Sequence, residues 1–258
     1  MLVRGCLGKG AVFGAVFVLL LTTVTSASVV EAPVLGGGNR VVSACRNLAQ
    51  GGSGVPERLV SGITHTQYSI TGGSPRGVVR AKAVLSRSGT CLQNQYIMGF
   101  GVGNPEPSPG VFDFADLDRR IRLIRSTGGI PVLTLCCAPD WMKGGAAGTT
   151  DWSKINTAPI PAHYADFARL ARTVAQRYPD VTHFQVWSEL KGFWRADLDR
   201  WDYERYTAFY NLIYDMLKKV NPRIQVGGPY ISMDSVSSSA GMSDPSAVNG
   251  VWGTLDQR

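Results

Sequence analysis

The sequence predicts an α/β protein built on a parallel sheet, with about five strand–helix units. Two observations carry this. Between residues 63 and 230, short runs of β-branched and aromatic residues alternate with longer segments whose apolar residues recur three and four apart. The third run, IPVLTLCCAP at 130–139, is nearly all apolar, as a strand buried on both faces is. Alternation of this kind argues for parallel strands joined by crossovers, and both doubly wound sheets and (β/α)8 barrels fit it.

ITHTQYSI (63–70) reads as the first strand, followed by a helix over 75–88 with Val78, Ala81, Lys82 and Leu85 at helical spacing. QYIMGFG (95–101) is the second strand. Phe114, Leu117, Ile121 and Ile124 mark the next helix, which Gly128 and Gly129 stop. The third strand is the apolar run at 130–139, and Tyr164, Phe167, Ala171, Val174 and Tyr178 form one stripe of the helix after it. VTHFQVW (181–187) is the fourth strand. Tyr206, Phe209, Ile213, Leu217 and Val220 give another helical stripe, closed by Asn221 and Pro222, and IQVGGPY (224–230) is the fifth strand. A dinucleotide-binding turn would need G-x-G-x-x-G leading straight into a helix. Gly99, Gly101 and Gly103 are instead followed by three prolines, so that reading is rejected.

Before the alternation, the chain divides in two. Arg4 and Lys9 precede the apolar run AVFGAVFVLLL (11–21) and small residues, the pattern of a secretory signal peptide over 1–27 with cleavage after Ala27. The apolar run is short for a membrane span, and an uncleaved anchor would equally imply export, so a secreted protein without a stable membrane anchor is expected. Residues 28–60, rich in Gly, Ser and Val, read as an N-terminal extension or linker, and 61–258 as the α/β portion. Loss of 1–27 lowers the formal charge of +7 by two. No Lys/Arg run marks a nucleic-acid patch, and the basic excess reads as solvated surface. Cys45 and Cys91 could bridge in an oxidising compartment. Cys136 and Cys137, adjacent on an expected strand, should point to opposite faces and pack rather than pair. His65, His163 and His183 are scattered, so neither a metal site nor any other cofactor is expected.

In a barrel the chemistry sits where strands end. Glu189 ends the fourth strand between Trp187 and Trp194. Asp140, Asn104, Glu106 and Asp234 follow the ends of other strands. Indoles around Glu189 would strip its hydration and favour the protonated acid that a glycosidic leaving group needs. The competing reading is a structural salt bridge from Glu189 to Lys191 or Arg195.

The stretch FQVWSELKGFW, the VGGP about forty residues later, and GGIPVLTLCCAPDWM resemble the clan A glycoside hydrolases, most closely the family 39 type of β-xylosidases and related cellulase-like enzymes. The resemblance runs from about residue 63 to the end. It implies a partial (β/α)8 TIM barrel, a retaining hydrolase of O-glycosyl bonds, and Glu189 as general acid/base. Ser188 stands where the family carries an Asn that binds a sugar hydroxyl, and a serine reaches less far. The family's nucleophile is a Glu at the end of a seventh strand. The Glu residues here are Glu31, Glu57, Glu106, Glu189 and Glu204, none beyond the fifth strand. The expectation is therefore the first part of a longer hydrolase, or a sugar-binding protein that does not cleave. Its partner would be a polysaccharide or oligosaccharide. His65, Asn94, Asp140, Trp141 and Tyr230 are expected to converge with Glu189 on one rim, and Ser188, Lys191 and Trp194 to contact sugar.

Overall fold

The computed structural model describes residues 62–69, 74–87, 91–198 and 200–229. The signal-peptide and linker readings, Cys45, Tyr230 and Asp234 lie outside them. The elements in chain order are β1 (Gly62–Thr64), α1 (Pro75–Arg87), β2 (Leu92–Tyr96), α2 (Ala115–Ser126), β3 (Ile130–Leu135), α3 (Tyr164–Arg177), β4 (His183–Val186), β5 (Trp194–Arg195), β6 (Arg200–Trp201), α4 (Tyr203–Val220) and β7 (Gln225–Gly227). Three short 3-10 turns lie between β3 and α3.

Five strands form one parallel sheet in the order β1-β2-β3-β4-β7. Among the described strands the order follows the chain with no reversal, so they do not form the crevice at which a doubly wound sheet binds nucleotides. Sequential parallel order is the winding of a partial (β/α)8 barrel. The strands are shorter than the sequence suggests: β1 stops at Thr64 and β3 at Leu135. The ribbon of β5 and β6, which pairs Trp194 with Trp201 in antiparallel register, was not foreseen.

Paired residues in a parallel sheet share a face. Leu133, Leu135, Phe184 and Val186 lie on one face and join a single buried core with Leu117 and Ile121 of α2, Phe167 and Val174 of α3, and Phe209 and Ile213 of α4. The apolar stripes read from the sequence are these contacts. Asp116 and Asp118 begin α2 and Arg125 ends it, matching the helix dipole at both ends. Arg177 of α3 grips Asp118 of α2 with Nε at 2.9 Å and Nη2 at 2.6 Å, and Tyr178 donates to the same carboxylate at 2.8 Å. The guanidinium holds the Asp118 carboxyl below its ordinary value, and burial, followed by the bond to Asp118, pushes the Tyr178 phenol up. The opposite face carries Thr64, Asn94, Val132, His183, Gln185 and Gln225, all partly or fully exposed, together with the buried Tyr96 and Thr134.

The expectation for Cys136 and Cys137 is revised. Cys136 and Cys137 are bonded to each other, across a cis peptide. Alternation separates neighbouring side chains only within a strand, and both residues lie beyond the end of β3. Cys91 is also disulfide-bonded.

Candidate functional site

Because β3 and β4 are adjacent and parallel, the segments leaving them, with Asp140 and Glu189, emerge at the same end of the sheet. Four non-glycine residues among those described have positive φ, and all follow strand ends at that edge: Phe100 (51°) after β2, and Trp187 (66°), Glu189 (55°) and Leu190 (70°) after β4. Each such conformation costs of order 1–3 kcal/mol and persists only where surrounding packing enforces it.

The packing here is aromatic. Trp187 is fully buried, with its ring edge-on to Phe167, Phe193 and Phe209 at centroid distances of 5.8–6.1 Å. Its indole Nε1 donates to the Lys191 carbonyl at 2.6 Å, closing the turn around Glu189. Tyr206 donates to the Val186 carbonyl at 3.0 Å. Gly228 sits against the same strand end at φ 116°, where a Cβ would lie 2.6 Å from the Val186 carbonyl oxygen. That close approach is the local reason for glycine in VGGP.

Glu189 Oε2 meets Lys191 Nζ at 2.7 Å, so the salt bridge that the sequence left open is the one formed. An opposite charge in contact stabilises a carboxylate, whereas a general acid must carry a proton. Ser188, 5% exposed, has its Oγ 3.2 Å from the Tyr96 hydroxyl at the end of β2. Tyr96 was not singled out in the sequence, because the expected strand over 95–101 put it near a strand start, whereas β2 runs from Leu92 and ends at Tyr96.

Asp140 is not free for chemistry. Its Oδ1 pairs with Lys143 Nζ at 3.0 Å, both side chains being buried, and its Oδ2 accepts the Asp151 N–H at 2.5 Å. Trp141 is buried too. Its Nε1 donates to the Glu106 carbonyl at 2.9 Å and its ring stands edge-on to His163, so it braces two loops and offers no open platform. Trp194 lies on the β5–β6 ribbon, half-exposed and edge-on to Trp201.

Two residues leave the rim. His65 lies on the helix-facing side, fully buried, with Nε2 at 3.0 Å from Gln93 Oε1, and burial lowers its pKa. Strand alternation gives His65 the face of Ile63, two residues before it. Asn94 sits within β2 on the opposite face, tied to Thr64 at 3.3 Å and Thr134 at 2.8 Å. Among the described residues, no three His, Cys, Asp or Glu side chains gather as a metal ion would require, and no helix is long and apolar enough to cross a membrane.

Glu106 is the least compensated carboxyl near this edge. It is 6% exposed, its Oε1 accepts the Gly110 N–H at 2.9 Å, and Oε2 has no hydrogen-bond partner. Burial raises its pKa, while the Gly110 N–H and the field of Arg169 pull the other way. A raised folded-state value means that the unfolded chain releases this proton first. Stability is therefore lost as pH climbs from the ordinary carboxyl value through the raised one. Glu106→Gln keeps an acceptor for Gly110 and removes the charge. The variant should melt roughly 2–4 °C above the parent at pH 7 and level with it at pH 4. Equal melting temperatures at pH 7 would show that the carboxyl is well solvated.

No family model matches the sequence, and no curated protein matches it. Among solved structures, the chain is similar to the GH39 enzyme from Xanthomonas axonopodis pv. citri, with TM-score 0.49 and 20% identity over 66% of this chain and 34% of that one. It is similar to a GH39 β-xylosidase from Caulobacter crescentus, with TM-score 0.49 and 18% identity over 66% of this chain and 39% of that one. A family 39 glycoside hydrolase from Bacteroides cellulosilyticus WH2 gives 0.42 and 16%, over 67% and 33%. The chain thus spans between a third and two fifths of the length of these structures.

Proposed function

We propose that this chain carries the acid/base half of an exported, retaining glycoside hydrolase whose substrate is a polysaccharide or oligosaccharide. The observation that supports this best is Glu189 itself. It is held at φ 55° at the end of β4, flanked by two more left-handed residues and set next to the Ser188–Tyr96 hydroxyl pair. A strained carboxylate at a strand end has the character of a working group more than of packing. In the proposed chemistry Glu189 protonates the departing sugar oxygen and then takes a proton from water. Lys191, a third exposed, is the group that must swing aside for Glu189 to carry the proton.

Retention needs a second carboxylate about 5–5.5 Å away. Asp140 is committed to Lys143 and Asp151, and Glu106 is buried beneath the loops, so neither takes that role in this reading. The chain by itself is then expected to bind sugar without cleaving it. A second reading, sugar binding as the whole function, is favoured by the Glu189–Lys191 ion pair, which occupies the acid.

The test is affinity electrophoresis in neutral plant or bacterial polysaccharides, together with assays on aryl glycosides. Retarded migration is expected, weakened about tenfold by Glu189→Ala, with no turnover. Turnover that vanishes in Glu189→Gln would locate the second carboxylate within this chain. Unchanged mobility on every polysaccharide would overturn both readings.

A further inference from the structure

Helix α1, PRGVVRAKAVLSR, carries Arg76, Arg80, Lys82 and Arg87 and no acidic residue. At about 100° per residue, Arg76, Arg80 and Arg87 fall within about 40° of arc, a stripe roughly 16 Å long. Of the half-buried positions, Val78, Ala81 and Leu85 lie about 150° away on the far side of the helix, while Ala83, a single methyl, lies about 40° from the centre of the stripe. All three arginines are exposed, and none has an acidic partner among the described residues. Elsewhere among the described residues, exposed Arg119, Arg125, Arg169 and Arg177 pair with aspartates, whereas exposed Arg122, Arg172 and Arg223 form no ion pair. What sets the stripe apart is its alignment: three exposed arginines stand in one row on a helix that carries no acidic residue.

We propose that this stripe binds a carboxylated polysaccharide, a polyuronate, and holds the protein on that polymer. The choice of a polysaccharide rests on the carbohydrate reading above; the choice of an acidic one rests on the stripe. A guanidinium is always charged and matches a carboxylate fork for fork, so a row of three selects a polymer with repeated carboxylates over a neutral glycan. A membrane surface fits less well. An interfacial helix inserts a continuous apolar face beside its cations, and here the apolar face is turned to the protein. The exposed Val79 and Val84 are separate small residues on either side of the stripe.

The full chain is run in gels containing polygalacturonate or a neutral xylan, and floated with vesicles containing phosphatidylserine. Retardation by polygalacturonate is expected at low salt and should fade as salt screens the contacts. R76E/R80E/R87E should weaken it about tenfold or more, and the triple Gln variant should lie between. Both variants should keep the parent circular-dichroism spectrum, because the three side chains are exposed. Mobility in neutral xylan reads the strand-end site and should be the same in all three proteins, so the two proposals fail separately. Equal retardation of the Glu variant by polygalacturonate would overturn the inference. So would flotation with vesicles in the absence of any polygalacturonate binding.

Discussion

Lys143→Met is expected to destabilise the protein by about 3–5 kcal/mol, the cost of leaving a buried carboxylate without its counter-ion. The Asp140–Lys143 pair is nearly water-free, with side chains 8% and 4% exposed. Lys143 also donates to the Lys154 carbonyl at 3.0 Å, and Asp140 takes the Asp151 N–H. One ion pair therefore fixes the loop that leaves β3. A methionine matches the lysine stem in length and supplies no charge, so Asp140 keeps only its backbone donor. The double variant Asp140→Asn/Lys143→Met should recover most of the loss, since replacing both partners of a buried pair costs far less than removing one. Urea unfolding followed by tryptophan fluorescence measures both. A single-variant loss below about 1 kcal/mol would mean that water reaches the pair.

The Asp140–Lys143 pair also marks where sequence reading stopped. The helices were legible because each buries one apolar stripe, and Phe167, Val174, Phe209 and Ile213 were read from spacing alone. The winding of the sheet was not legible in spacing, since strand–helix alternation suits two architectures; the motif resemblance pointed to the barrel, and the pairing order agrees. Strand ends were the weak point. Alternation from Ile63 already placed His65 on the helix-facing side, and ending β3 at Leu135 freed Cys136 and Cys137 to bond. Lys143 was missed because it meets Asp140 across a 3-10 turn, which leaves no periodic pattern in the sequence. The β5–β6 ribbon has two residues per strand, too few for any alternation to register. Glu189 and Lys191 were both named in advance. That the two meet depended on side-chain distance, which composition and period do not encode.

The second large effect is expected from Phe209→Ala, a loss of about 3–5 kcal/mol from a fully buried ring. Phe209 is the hub under the turn that carries Glu189. Its ring lies 5.0 Å from Tyr164, 5.1 Å from Phe167 and 5.8 Å from both Trp187 and Phe193. Interiors are close-packed, so four rings lose a neighbour at once and relax only in part. Trp187 holds a left-handed conformation that its packing must enforce, and Glu189 follows two residues later. Loosening Phe209 should therefore release the strand-end turn before it unfolds the sheet. Near-ultraviolet circular dichroism from the tryptophans should fall while the far-ultraviolet spectrum holds, and affinity for neutral polysaccharide should fall with it. Leu212→Ala is the control: it lies three residues along the same helix but is 44% exposed, and it should cost no more than about 0.5 kcal/mol. If Phe209→Ala lowers stability and leaves the near-ultraviolet signal and sugar affinity unchanged, the aromatic cluster stabilises the fold without holding Glu189 in place.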